Sequence, residues 1–221
     1  MDAQDIIDEV SGQLNDVGLV TWTQASLIKY INSAQEAIVL LRPDAFSEVT
    51  LMVLGIGSKQ TLPATALRLL DIKRNMGTDG LTPGRSVLAI DEESLDLFAF
   101  SHTAGTPAPV IKNFSYDEKT PNTFYVDPPA DGTTQIELSV SRVPTEVTVP
   151  ADTLVLKDIY RNPIIQWCMF RAYSIEVDSR SSQQRAAKHE TTFYQLMGKK
   201  FQRDITFSPS VEVQEAQTDG G

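Results

Sequence analysis

The segment from Leu156 to Asp204 constrains this chain most, because it is the most apolar long stretch and reads as two helices broken once, around Asp178 to Ser182. In the first, from about Ile159 to Val177, the residues Ile164, Ile165, Trp167, Cys168, Phe170, Ala172, Tyr173 and Ile175 leave hardly any polar face. A helix apolar all round must be covered on more than one side, so it is expected at the core. Pro163 allows two starts: Asn162 caps a helix whose first residue is Pro163, or a single turn precedes a kink. In the second helix, capped by Ser181 or Ser182, Phe193, Met197, Phe201 and Ile205 recur at steps of four and form one buried stripe.

The N-terminal region supplies a matching pair. Ile6, Val10, Leu14 and Val17, widened by Ile7, predict an amphipathic helix over 2–17, with Asp2, Asp5 and Asp8 complementing its dipole and Gly18 as its left-handed cap. Thr23 is placed to cap a second helix from Gln24 to Arg42, whose stripe is Leu27, Ile31, Ala34, Ile38 and Leu41. Pro43 stops it at the preceding residue. The short connection makes the two antiparallel neighbours.

From Phe46 the period falls to two. Val49, Leu51 and Val53 alternate with Thr50, Met52 and Leu54, and Gly55-Ile56-Gly57-Ser58 predicts a hairpin into Lys59 to Leu62. Leu67 to Met76 reads as a strand, with a short helix as the alternative. Gly77 to Gly84 reads as a loop and Ser86 to Ile90 as a strand. Asp91 is placed to cap a short helix from Glu92 to Leu97, and Ser101 to Pro109 reads as a loop. Val110 to Tyr116 and Thr123 to Val126 predict a second hairpin, ended by Asp127-Pro128-Pro129 because proline cannot donate to a ladder. Thr134 to Val143 is the last clear strand, with Ile136, Leu138 and Val140 on one face, and Pro144 to Pro150 is a linker. In the final stretch Phe207, Val211 and Val213 alternate with polar residues, a pattern that suits a strand donated to a neighbour and, on composition alone, equally a disordered end.

Charge and side-chain chemistry exclude more than they assign. A formal net charge of −10 argues against gripping DNA or RNA, which needs a surplus of lysine and arginine. The positive charge is concentrated in the last two helices, in Arg161, Arg171, Arg180, Arg185, Lys188, Lys199, Lys200 and Arg203. That asymmetry suits contact between copies or with a partner, although taken alone it favours a solvated helix face. No apolar run approaches the ~20 residues needed to span a bilayer, and the acidic start from Met1 to Val10 is unlike a signal peptide, so folding in a cytoplasm is expected. The single Cys168 excludes an internal disulfide and any multi-cysteine zinc site. Asp91-Glu92-Glu93 is better explained as an acidic helix start than as catalytic carboxylates. His102 and His189 lack the partner a zinc helix needs, Gly55-Ile56-Gly57 lacks the rest of a dinucleotide loop, and no nucleophile elbow is present. No catalytic residue, metal site or cofactor is expected.

Several stretches together resemble the head-to-tail adaptor proteins of tailed bacteriophages, the small neck proteins that include the podovirus tail tubular (gatekeeper-like) proteins. They are Trp22-Thr23; the run Leu67 to Gly77; Pro83-Gly84-Arg85 with Ile90-Asp91; Tyr116-Asp117-Glu118 through Pro121-Asn122-Thr123-Phe124-Tyr125-Val126 to Pro128-Pro129; and Asp158-Ile159-Tyr160-Arg161-Asn162 through Trp167 to Arg171-Ala172-Tyr173-Ser174. The resemblance implies a homo-oligomeric ring of about twelve copies in the virion neck, between portal and tail tube or nozzle, with DNA passing through its lumen. It implies a portal-binding terminal arm, here Phe207, Pro209, Val211 and Val213. It also implies ring contacts, for which Arg180, Arg185, Lys199, Lys200 and Arg203 are the candidates. Tail-facing loops would carry Asp117, Glu118, Lys119 and Asn122.

The expected fold class is α+β. Helix pairs at 1–43 and 156–205 pack as one four-helix bundle, a β-rich body spans 44–155, and 206–221 is an extended arm. The competing reading is a carbohydrate-binding or lytic tail-associated β-sandwich, which would carry a surface aromatic cluster or a carboxylate pair in a cleft.

Overall fold

In the computed structural model, residues 1–91, 105–175 and 180–206 are described, with side chains as far as residue 198. The chain is α+β, and among the described residues it has four α-helices and two sheets. It divides into two units: Met1–Leu41 with Thr145–Gly221, and Arg42–Pro144.

The first unit is helical. α1 (Ala3–Gln13) opens with the capping box that Asp2 and Asp5 form, and it buries Ile6, Ile7 and Val10. It ends a turn earlier than predicted. Asn15 takes a left-handed φ of 57°, its amide donates to the Gly12 carbonyl and the Asp16 amide donates to the Ser11 carbonyl. This is a Schellman motif, so asparagine caps the helix and Gly18 does not, and Val17 lies outside the helix and exposed. Asp16 then holds the loop. Its carboxylate accepts the amides of Val20, Thr21 and Trp22 at 3.0, 2.9 and 2.9 Å. α2 (Gln24–Leu41) starts from Thr23, whose hydroxyl accepts the Ser26 amide. It buries Leu27, Ile31, Ala34 and Ile38, but Leu41 is exposed, because Pro43 ends the helix there.

A 3-10 turn, Asp158–Tyr160, runs into α3 (Arg161–Ile175), so a turn does precede Pro163. Pro163 is buried in the first turn of α3, where its missing N–H is one of the groups a helix start leaves unpaired. α1, α2 and α4 (Arg180–Thr206) all pack on α3, the packing expected of a helix apolar on every side. Ile175, by contrast, is exposed at its end. Trp22 and Trp167 fasten this unit by their indole N–H groups, to the Ala172 carbonyl and the Ser33 hydroxyl. Ser181 and Ser182 lie inside the first turn of α4 and do not precede it. Phe193 and Met197 are buried on the predicted stripe. The stretch after Pro144 is held tightly, for Asn32 exchanges two hydrogen bonds of 2.9 Å with the backbone of Val147.

The second unit is two four-stranded sheets sharing one core. β1 (Ser47–Val53), β3 (Ala66–Met76), β4 (Pro83–Ser86) and β8 (Gln135–Arg142) form one, in the order β1-β8-β3-β4. β2 (Gly57–Thr61), β5 (Leu88–Ala89), β6 (Asn113–Tyr116) and β7 (Thr123–Ala130) form the other, in the order β2-β7-β6-β5. Leu69, Ile72, Ile136, Leu138 and Val140 from the first sheet meet Phe114, Phe124, Val126 and Ala130 from the second. Three predictions change here. β1 and β2 are no hairpin: β1 pairs with β8 and β2 with β7, so the chain crosses between sheets at Gly55–Gly57. The buried Gln60 amide closes that corner in place of a ladder, accepting the Gly55 amide and donating to the carbonyls of Gly55 and Gly57. The Ser86 to Ile90 strand is two short strands in different sheets. β7 also continues through Pro128 and Pro129, because a proline carbonyl still accepts: the Ala108 amide donates to Pro129, as the Lys112 amide does to Asp127 just before the pair. The β6–β7 hairpin and β3 form as predicted. The helix predicted from Glu92, the start of the Ser101 to Pro109 loop and the arm after Thr206 lie outside the described residues.

Candidate functional site

The cations singled out as candidate ring contacts lie on α4, with Lys188 among them, while Arg161 and Arg171 belong to α3. Arg180, Arg185 and Lys188 are exposed, and none has a carboxylate within ion-pair distance among the described residues. Arg185 instead lies over the Tyr173 ring of α3, 5.6 Å from its centroid. Lys199, Lys200 and Arg203 belong to α4, but their side chains lie outside the described residues. The same unit carries exposed acids that have no cation partner among the described residues: Asp5 and Asp8 on α1, which accept hydrogen bonds from the Asp2 amide and the Gln4 side chain, and Glu36 on α2. Glu9 is satisfied within the chain by Arg161, at 3.0 Å. The exposed cations thus gather on α4, while α1 carries acids and no lysine or arginine and α2 carries Glu36 beside an exposed Lys29, a charge distribution suited to contact between copies.

The second candidate surface is the tip of the β6–β7 hairpin. Asp117 accepts the Lys119 amide at 2.9 Å, the Thr120 amide donates to the Asp117 carbonyl, and Tyr116 donates from its hydroxyl to the Pro121 carbonyl. This fixed turn projects Glu118, Lys119 and Asn122 into solvent. Glu118 is bound to Arg68 of β3, and the Asn122 carbonyl accepts the Leu62 amide. Asp117 is half-buried and serves the turn itself.

The groups with perturbed acidity are explained by structure. The Trp22 amide, with those of Val20 and Thr21, lowers the pKa of Asp16. Asp79 caps its own turn, and the Thr82 and Leu81 amides pull it down to about 2. Asp131 and Asp152 are lowered in the same way by turn amides of Thr133 and Val149. Burial pushes the Cys168 thiol far up, so it stays an unreactive core group. His189 is lowered by burial and then by Lys188 and Arg185. It stacks on Tyr173 and bonds through Nδ1 to Gln166 Oε1 at 2.8 Å, a structural role. Among the described residues no three His, Cys, Asp or Glu side chains gather as a metal site would require. Glu92, Glu93 and His102 lie outside them. Nor is any helix among them long and apolar enough to cross a membrane.

A family model for the SU10 adaptor protein matches residues 1–214. The chain belongs to the SU10 adaptor protein family. It is therefore a phage head-to-tail adaptor, a structural protein of the virion neck associated with portal and tail proteins. No curated protein matches it.

Sequence reasoning missed the polar side chains that hold loops in place, namely Asn15, Asp16, Asn32, Gln60 and Asn75. Only Asn15-Asp16 carried a local signal, an asparagine that tolerates the left-handed region before an aspartate able to cap a turn. The others act on backbone brought close by folding.

Proposed function

We propose that this adaptor closes into a ring of about twelve copies between the portal and the tail tube or nozzle, and lets DNA pass without holding it. In this reading the helices of 1–43 and 156–205 form one four-helix bundle, 44–155 face the tail, and 206–221 are the arm. The observation that carries it is the separation of charge within one unit. Arg180, Arg185 and Lys188 on α4, without a carboxylate partner among the described residues, suit Asp5, Asp8 and Glu36 of the next copy, likewise without a cation there, in a head-to-tail contact that repeats until it closes. The acidic surplus of −10 keeps the assembly from gripping the nucleic acid it conducts. The ordered tip at Glu118, Lys119 and Asn122 is the tail-facing contact. Phe207, Pro209, Val211 and Val213 bind the portal, and their ordering cost is met only when the portal is present.

Light scattering on the dilute chain, alone and with its cognate portal, tests this. A small species alone and a large ring with portal is the expected result, and deletion of 206–221 leaves a folded chain that no longer binds. A chain indifferent to the portal overturns the portal-facing reading. The carbohydrate-binding alternative finds less support, because Phe114 and Phe124 of the β unit are spent in its core.

A further inference from the structure

We propose that the free edge of β1 is taken by β1 of a second copy of this chain, antiparallel about a two-fold axis at Thr50. β1 is an end strand, paired on one side only, with β8. The Leu54 amide donates to the Thr134 carbonyl directly opposite, so the even-numbered residues face β8. Without a bulge in this pair, the amides and carbonyls of Val49, Leu51 and Val53 point away from it, and they find no partner among the described residues. The side chains of the same three residues are 51, 46 and 57% exposed.

Such an edge invites another strand, and the other three edges of these sheets are guarded against that. β4 begins with Pro83, carries exposed Arg85 and is irregular in register. β2 has an exposed Lys59 and an irregularity beside Gly57. β5 is only two residues long. β1 alone is regular, seven residues long and apolar along its open side.

The occupant follows from the fit of the strand to itself. Centred on Thr50, the pairing sets Val49 opposite Leu51 of the second copy, Ser47 opposite Val53 and Glu48 opposite Met52. Apolar residues therefore meet across the new ladder and no like charges oppose. A two-fold contact uses the same edge on both copies and stops at two, unlike a ring contact. It covers the edge in the free protein, and one strand pair is small enough for the dimer to be weak and reversible.

Cysteine scanning on the full chain decides it, because Cys168 is buried and stays silent. Thr50→Cys should give an oxidised dimer, since facing residues of such a pair are about 4.5 Å apart at Cα. Ser47→Cys should not, its counterpart lying roughly 20 Å away along the strand. Sedimentation of the wild-type chain should rise with concentration toward twice 24.4 kDa. Leu51→Pro removes only an outward N–H and should raise the dissociation constant at least tenfold with an unchanged circular dichroism spectrum. Leu51→Lys is the second variant should the proline disturb the fold. A single mass at all concentrations, or equal cross-linking of the two cysteine variants, overturns the pairing. These experiments need no portal, so their failure leaves the ring untouched.

Discussion

Asp16, Asp79, Asp131 and Asp152 each hold a turn by accepting backbone amides, and those bonds hold the pKa of each below its ordinary value. A carboxylate with a depressed folded pKa stabilises fully above the unfolded value of about 3.9, and the contribution fades as pH falls through the folded value. The melting temperature should therefore drop steeply from about pH 4 toward pH 2. Asp16→Asn should melt lower at pH 7 and lose less than wild type on acidification, measured by circular dichroism. Gln35 and Asn75 make the opposite pair. Asn75 is buried but exchanges bonds with the backbone of Ile111 and donates to the Arg85 carbonyl. Gln35 is fully buried on α2 with no partner for either amide atom among the described residues. Replacing an unsatisfied amide by an apolar group of similar shape removes a desolvation cost, so Gln35→Met should stabilise by about 1 kcal/mol in urea denaturation.

At the scale of elements, α4 depends on α3. Phe193 is fully buried, and its ring centroid lies 4.8 Å from that of Trp167, which in turn meets Phe170 edge-on. Phe193→Ala should cost about 4 kcal/mol in chemical denaturation, the usual range for emptying a buried aromatic site. The β unit makes a different point about elements. β1 and β2 are neighbours in sequence yet lie in separate sheets, because Gln60 ties the corner between them and frees each to pair elsewhere.

At the scale of the whole molecule, the separated charges predict how copies assemble. Arg180→Glu should abolish ring formation on the portal while leaving the chain folded. Asp8→Lys supplied on the same chain should restore it, because the repeating contact again joins opposite signs. Ring formation should weaken as salt rises toward 1 M, where the screening length falls to about 3 Å. A variant that assembles as well as wild type in dilute and concentrated salt would remove the charge contact from the ring.

The amino-acid sequence by itself determined the four helices, the last strand and the β6–β7 hairpin, and left Leu67 to Met76 between a strand and a short helix. Their apolar spacing is a local property, readable within one or two turns of chain. It also carried the family, through short motifs spread along nearly its whole length. Only the tertiary structure decided which strands share a sheet, since pairing joins residues far apart and both faces of β1 are apolar. Val49, Leu51 and Val53 alternate with Thr50, Met52 and Leu54, and nothing local says which set turns outward. The sheet resolves it: Met52 and Leu54 reach the core, and the other three are left to solvent.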